Sequence, residues 1–301
     1  MLWKVVNCLF FGNLRACYRL GKYAHKADYR DEPLSPTTTV RMCDVTHAVV
    51  IPFYNEPIDK LRETLDTLKS QGGGMPQQMI VVLATEERDL TGILAAKLLH
   101  REYGPFFREV LCTSHRLAEG EVAGKGSNEN WAVRCLKHHL VDDQHVNIGQ
   151  VVITVCDADT FFPAGFSSEL AWRFCSSEGR RHLTIWQAPI YCVANMPEIK
   201  NLLCKVRYTI LSVTTTAAYY VPWASCRPDT DTLPLSCYSV SLALMQRAAY
   251  WDPAVITEDA NMWMRCTLAT AGAVHVEIVD KVIAMDSPPV FCRRCIPRAQ
   301  L

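Results

Sequence analysis

No stretch of this chain reaches the roughly 18 uncharged apolar residues that mark a membrane-spanning helix. The nearest, Tyr208 to Pro222, is short, Thr-rich and preceded by Lys205 and Arg207, which suits an amphipathic or buried helix. A surplus of one charge is also missing, since 31 Lys and Arg balance 31 Asp and Glu. Nucleic acid is therefore not indicated as a partner. A cysteine framework is absent as well: the 14 cysteines are scattered through apolar segments, as at Cys135, Cys156, Cys204 and Cys266. That usage fits a reducing compartment, where cysteine serves as a small hydrophobe. No internal repeat is visible. With 49% hydrophobic and 21% charged residues over 301 positions, disorder is excluded and one domain with an appendage is expected.

The last absence is local. Before Asp28 there is no acid, yet Lys4, Arg15, Arg19, Lys22 and Lys26 occur among Trp3, Phe10, Phe11, Tyr18 and Tyr23. Two readings stand: a basic, aromatic helix lying in a membrane interface, or a helix packed on the domain. A cleaved signal peptide fits less well, because Asn7 interrupts the short apolar run.

After a Pro- and Thr-rich linker (Asp31 to Thr39), strand and helix signals alternate. His47 to Phe53 is a continuous apolar strand; Ile58, Leu61, Leu65 and Leu68 follow at helical spacing, and Gly72 to Gly74 ends the segment. Met79 to Ala84 predicts a strand, Asp89 to Tyr103 a helix, Glu109 to Cys112 a short strand, and Ala123 to Asn130 the opening of a helix reaching about His139. Val151 to Cys156 is a buried strand, His182 to Ile190 another, Pro197 to Tyr220 mostly helix, Glu258 to Ala271 a helix and Val274 to Val279 a final strand. This alternation implies an α/β fold whose ligands bind at the carboxyl ends of the strands.

Three motifs carry chemistry. Asp157-Ala158-Asp159 ends a buried strand, and two carboxylates there can present oxygens to a hard cation whose shell a diphosphate completes. Equally, the aspartates can form a turn that caps the next helix. Gly124-Lys125-Gly126 precedes a helix and lets backbone amides and one cation approach phosphates, although its spacing is not that of a P-loop. Thr257-Glu258-Asp259 is either an N-cap with two acids in the first turn, or the source of a carboxylate that accepts a proton from an attacking hydroxyl. Cys292 and Cys295 form a C-x-x-C pair, for which Cys226 and Cys237 are loose further ligands of a zinc site. His138 and His139 are expected to face solvent, and Trp186, Trp223 and Trp251 to lie in the core.

Taken in order, these motifs resemble the family 2 glycosyltransferases. Val49 to Glu56 resembles their opening strand, Gly124-Lys125-Gly126 their phosphate-side loop, Asp157-Ala158-Asp159 their metal-binding motif and Thr257-Glu258-Asp259 the motif supplying the general base. Trp186-Gln187-Ala188-Pro189 and Tyr250-Trp251-Asp252 resemble segments of membrane-associated, cellulose-synthase-like members, and the likeness runs from about Thr46 to Met285. It implies a GT-A-like α/β catalytic domain over 46–285, a mostly parallel mixed sheet flanked by helices, with an N-terminal segment (1–45) and a tail (286–301). By this resemblance Asp157 and Asp159 bind Mg²⁺ or Mn²⁺, Glu56 and Lys125 hold the nucleoside and phosphate sides, and Asp259, beside Glu258, is the general base of an inverting transfer. The implied donor is a nucleotide sugar, UDP-linked by preference, and the acceptor a saccharide or lipid. The implied location is a membrane surface with the catalytic domain in the cytosol.

Two departures matter. The second strand of such enzymes ends in an acid that contacts the base, whereas here it reads Leu83-Ala84-Thr85-Glu86, so Glu86 stands in one step further along. The Gln-x-x-Arg-Trp motif of processive relatives is replaced by Phe291-Cys292-Arg293-Arg294-Cys295, and the chain stops at Leu301, where membrane helices often follow. Altered acceptor handling or a truncated form would explain this. The competing readings are a non-catalytic scaffold or regulatory subunit that keeps the fold, and a nucleotidyltransferase, which leaves Asp259 unexplained.

Overall fold

The computed structural model describes residues 40–192, 194–224 and 233–287. The N-terminal basic segment, Cys226 and the Cys292/Cys295 pair lie outside them.

The first strand, β1 (Thr46–Pro52), is buried along its whole length. Its alternate side chains enter two cores: Val49 and Ile51 pack with Leu61, Leu65 and Leu68 of α1 (Ile58–Lys69), Ala48 and Val50 with the opposite layer. A strand covered on both faces reads as an unbroken apolar run, which is why the sequence shows no alternation here. The chain continues through β2 (Met79–Glu86), α2 (Leu90–Tyr103), β3 (Glu109–His115) and α3 (Lys125–Lys137), which supplies Ala132, Val133 and Leu136 to the second core. A wide π turn over His138–Asp143 extends α3. It leaves His138 exposed but draws His139 onto Glu109 at 2.8 Å, so only His138 faces solvent as expected.

The buried strand β4 (Val151–Val155) follows, then β5 (Thr160–Phe161), α4 (Phe166–Ser176), β6 (Thr184–Gln187), β7 (Ile190–Tyr191), α5 (Leu202–Ala224), β8 (Tyr238–Ser241), α6 (Leu242–Arg247), α7 (Glu258–Ala269), β9 (His275–Ile278) and β10 (Ile283–Met285). Seven strands form the main sheet in the order β3-β2-β1-β4-β8-β6-β9, parallel except for β8, which runs antiparallel to both neighbours. Three short strands, β5-β10-β7, make a second sheet. The architecture is the α/β, mostly parallel mixed sheet flanked by helices that the sequence implied.

Three details differ from expectation. The single strand over His182 to Ile190 is two strands in two sheets, separated at Ala188-Pro189, and the buried Gln187 amide ties the break to the carbonyls of Ala188 and Cys237. The helix expected from Pro197 starts at Leu202 and runs to Ala224. The Asp157-Ala158-Asp159 segment caps no helix: it leads into β5, and α4 begins later, behind Gly165 at φ 77°. Cys156, Cys204, Cys266, Trp186 and Trp251 are buried as expected.

Sheet direction sets the site. Parallel β1, β2 and β4 bring Glu56, Glu86 and Asp157 to one edge. Because β8 opposes β4 with Tyr238 facing Val155, its amino end, with Ser236 just before it, reaches that edge too. Met285 of β10 faces Thr160 of β5, which sets Asp286 beside Asp159.

Candidate active site

A cavity of about 670 Å³ opens at this edge, and Glu56, Glu86, Lys125, Asp157 and Asp159 line it. Asn55 turns the chain out of β1 with φ 55°, a left-handed conformation that asparagine tolerates, and its N–H donates to Asp89 at 2.8 Å. That turn delivers Glu56 to the cavity wall. Glu86 lies almost wholly buried and accepts from Arg88 Nε at 2.6 Å, and the Arg88 guanidinium sits 4.6 Å from the centre of the Tyr54 ring.

Carboxylates outnumber cations at the far wall. Burial pushes Asp159 up to about 7, and the negative charges of Asp157, Asp286 and Glu56 push the same way. Glu56 is raised by burial and then by Asp157. Asp286, which the sequence boundary assigns to the tail, is a wall residue held by Lys60 at 2.7 Å. Such a group of hard oxygens, disfavoured as anions by one another, suits a divalent cation. Among the described residues no three His, Cys, Asp or Glu side chains form a ready-made metal cage. The donor set therefore fits a hard cation held by one or two carboxylates and completed by ligand oxygens.

Lys125 stands at the junction of the two acidic groups. Its Nζ lies 2.8 Å from Asp157, 3.0 Å from Glu258 and 3.7 Å from Glu129, and it donates to the Ser236 carbonyl at 3.3 Å. Burial alone would lower this ammonium, but Asp157, Glu129, Asp259 and Glu258 together hold it well above its ordinary value. The approach depends on Gly126: a Cβ there would lie 3.0 Å from Cβ of Glu258 and 3.3 Å from the Val255 carbonyl, so the first turns of α3 and α7 meet only because this position is glycine. Glu129 is fully buried behind Lys125, and burial raises it well above the carboxylate range.

Asp259 is on α7 but not on the cavity wall. One oxygen accepts from the Ser236 N–H at 2.7 Å, while Oδ1 is buried without a hydrogen-bond partner. Burial lifts Asp259 to about 6; Lys125 and the Ser236 amide oppose the rise, Glu258 and Asp157 add to it. Thr257 occupies the N-cap position with Glu258 and Asp259 in the first turn, as the capping alternative has it, although its hydroxyl makes no capping bond. The arrangement thus sets an oxygen-rich wall on one side of Lys125 and a separate buried carboxylate on the other.

Of the residues anticipated, Glu56, Glu86, Lys125, Asp157 and Asp159 share the cavity, and Glu258 and Asp259 stand behind Lys125. Asp286, Arg88, Glu129 and Ser236 were missed. Asp286 carried a signal, an acid directly after an apolar Ile-Ala-Met strand; the other three become visible only through tertiary contact.

Comparison with known proteins agrees with this fold. Residues 152–296 match the family model described as Glycosyl transferase family group 2. No curated protein matches in sequence. Among solved structures, the mannosyltransferase PcManGT from Pyrobaculum calidifontis, in complex with GDP-Man and Mn²⁺, superimposes with a TM-score of 0.54 at 15% identity, covering 95% of this chain and 67% of that one. TarS 1–349 from S. aureus, in complex with UDP-GlcNAc, gives 0.50 at 14% identity, covering 81% of this chain and 59% of that one.

Proposed function

We propose that the chain is a family 2 glycosyltransferase that transfers a sugar from a nucleotide-diphosphate donor to a hydroxyl acceptor with inversion, a reading supported by the match of residues 152–296 to a family 2 model and by the likeness of the fold to a solved mannosyltransferase. The observation that carries the reading is the division of acids around Lys125: an oxygen-rich wall at Asp157 and Asp159, and a separate buried carboxylate at Asp259.

In this reading Glu56 and Glu86 hold the nucleoside side, and Lys125 faces the phosphates. Asp159, assisted by Asp157, holds Mg²⁺ or Mn²⁺. When bound, that cation supplies neutralisation of the charge gathering on the diphosphate. Asp259 accepts the proton of the acceptor hydroxyl as its oxygen bonds to the anomeric carbon and the bond from that carbon to the diphosphate oxygen breaks. A single displacement inverts the centre. Glu258, paired with Lys125, fixes the lysine rather than taking the proton. The acceptor, a saccharide or a lipid, would come over the exposed side chains of Leu235 and Ile256, which precede Ser236 and Thr257.

We take a UDP-sugar as the first donor to test. Release of nucleotide diphosphate from a panel of nucleotide sugars, with and without Mn²⁺, is expected to show one donor hydrolysed in a metal-dependent way; no turnover of any donor in either condition would overturn the reading. The N-terminal segment Met1 to Lys26 is proposed to rest on an anionic membrane surface, with the catalytic domain on the cytosolic side. Its deletion should weaken flotation with anionic liposomes, and unchanged flotation would count against that role.

A further inference from the structure

Each cation on the cavity wall is matched to an acid of its own. Lys60 is taken up by Asp286 at 2.7 Å and Glu63 at 3.0 Å, and Arg88 by Glu86 at 2.6 Å. Lys125, the first residue of α3, belongs to Asp157: its Nζ lies 2.8 Å from Oδ1 of that carboxylate and 3.0 Å from Glu258. Glu129 lies 3.7 Å from the same Nζ, with both carboxyl oxygens buried and free of hydrogen-bond partners. The ammonium thus sits on one of the two carboxylates assigned to a divalent cation, while the same lysine is assigned to the phosphates.

We infer that Lys125 is an exchangeable counter-ion: its ammonium neutralises Asp157 until a diphosphate draws it away and so frees that carboxylate for the divalent cation. On the roles proposed above, on which the exchange rests, neither can be filled while the two side chains hold each other. A dication on either oxygen of Asp157 would stand beside the ammonium, and like charges in a half-buried site repel strongly. A diphosphate removes that obstacle, because its anionic oxygens accept charge-assisted hydrogen bonds from the ammonium. Position favours the exchange. Lys125 opens α3, whose first-turn N–H groups suit a phosphate, and nothing lies within 4 Å of where a Cβ on Gly124 would stand, so the turn has room for one.

The lysine does not leave Asp157 uncompensated. Glu258 and the Ser236 carbonyl stay within its reach, and Glu129 offers carboxyl oxygens that accept from nothing else. Its flexible four-carbon stem lets the ammonium swing while α3 stays in place. Metal alone therefore binds weakly, and nucleotide and metal strengthen each other reciprocally. A cation that bridges carboxylate and phosphate would also couple the two ligands. What marks the exchange is a gain in metal affinity, without nucleotide, when the ammonium is removed.

The test measures Mn²⁺ binding to the full chain by the electron paramagnetic resonance of free Mn²⁺, alone and with UDP or GDP. Wild type should bind Mn²⁺ weakly alone and at least roughly tenfold more tightly with nucleotide. Lys125→Met should bind Mn²⁺ alone at least roughly tenfold more tightly than wild type, and its further gain from nucleotide should shrink. Arg88→Met, which removes a cation from the same cavity but one paired with Glu86, should stay within about threefold of wild type. Wild-type crystals grown with UDP or GDP and Mg²⁺ should place Nζ of Lys125 more than about 4 Å from Asp157, a readout independent of how well Lys125→Met folds. No gain in Lys125→Met, an equal gain in Arg88→Met, or an intact Lys125–Asp157 pair beside bound cation and nucleotide would each overturn the exchange. Metal-dependent nucleotide binding by wild type would leave the proposed transfer standing in those cases, whereas nucleotide binding indifferent to Mn²⁺ would overturn both.

Discussion

The acids on the two sides of Lys125 are chemically alike and physically unlike. Asp157, Asp159, Glu56 and Asp286 line an open cavity, and mutual repulsion adds to burial in raising Asp159. Asp259 sits behind the lysine, anchored by one amide N–H and with its other oxygen free of partners. The first arrangement lowers its energy by gaining a cation. The second lowers its energy by gaining a proton, which is what a general base must do near neutral pH. In the proposed mechanism, environment rather than residue type separates the metal ligand from the base, with Lys125 between the two groups.

The sharpest way to break this division is Asp259→Asn. Turnover should fall by about 10²–10⁴-fold, since proton acceptance is needed only in the transition state, while KM for the donor stays close to wild type. A loss confined to KM would put Asp259 in the donor site instead.

Lys125→Met probes the partition itself. Removing the ammonium leaves Glu129 and Asp259 without their cation in a buried setting, so unfolding in urea should show a loss of about 3–5 kcal/mol near pH 8. An unchanged midpoint would mean that Lys125 does not bind the two groups together.

A smaller effect should appear in the pH dependence of stability. The Asp159 carboxyl rises from 3.8 to about 7 on folding, so between these values the folded chain keeps a proton that the unfolded chain has lost. Stability contributed by this group falls as pH rises through that window, and the penalty is complete above about 7. Asp259, lifted to about 6, acts in the same sense. Mn²⁺ should therefore raise the melting temperature more at pH 8 than at pH 5.5, by about 2–4 °C for each kcal/mol of added stabilisation. An equal rise at both pH values would place the metal elsewhere.

How much of this was legible in the sequence also divides by region. In the amino-terminal half, strands and helices alternate, and each strand buried on both faces announces itself as an apolar run, so β1, β2 and β4 and the acids after them were readable. In the carboxyl-terminal half the signals are shorter. β8 has four residues and β7 two, and the antiparallel insertion of β8 is decided by pairing with β4 and β6 rather than by composition. Helix α4 passed unrecognised although Leu170, Ala171 and Phe174 are core residues, because Arg173 and Glu169 on the same face look like surface charges. They are in fact an internal pair at 2.9 Å, with Arg173 also reaching Glu277 and Asp280. Within the site, the acids after β1, β2 and β4 were found, whereas Glu129, supplied by contact, and Asp286, which follows a strand of only three residues, were not.

The most direct measurement is calorimetric titration of a nucleotide diphosphate into wild type, Asp159→Asn and Asp259→Asn, each with and without Mn²⁺. Wild type should bind more tightly with Mn²⁺. Asp159→Asn should lose that gain, a drop of roughly 10–100-fold or more in the presence of metal, while Asp259→Asn binds nearly as wild type. Equal losses in the two variants, or binding that Mn²⁺ leaves unchanged in wild type, would contradict the separation of a cation site at Asp159 from a base at Asp259.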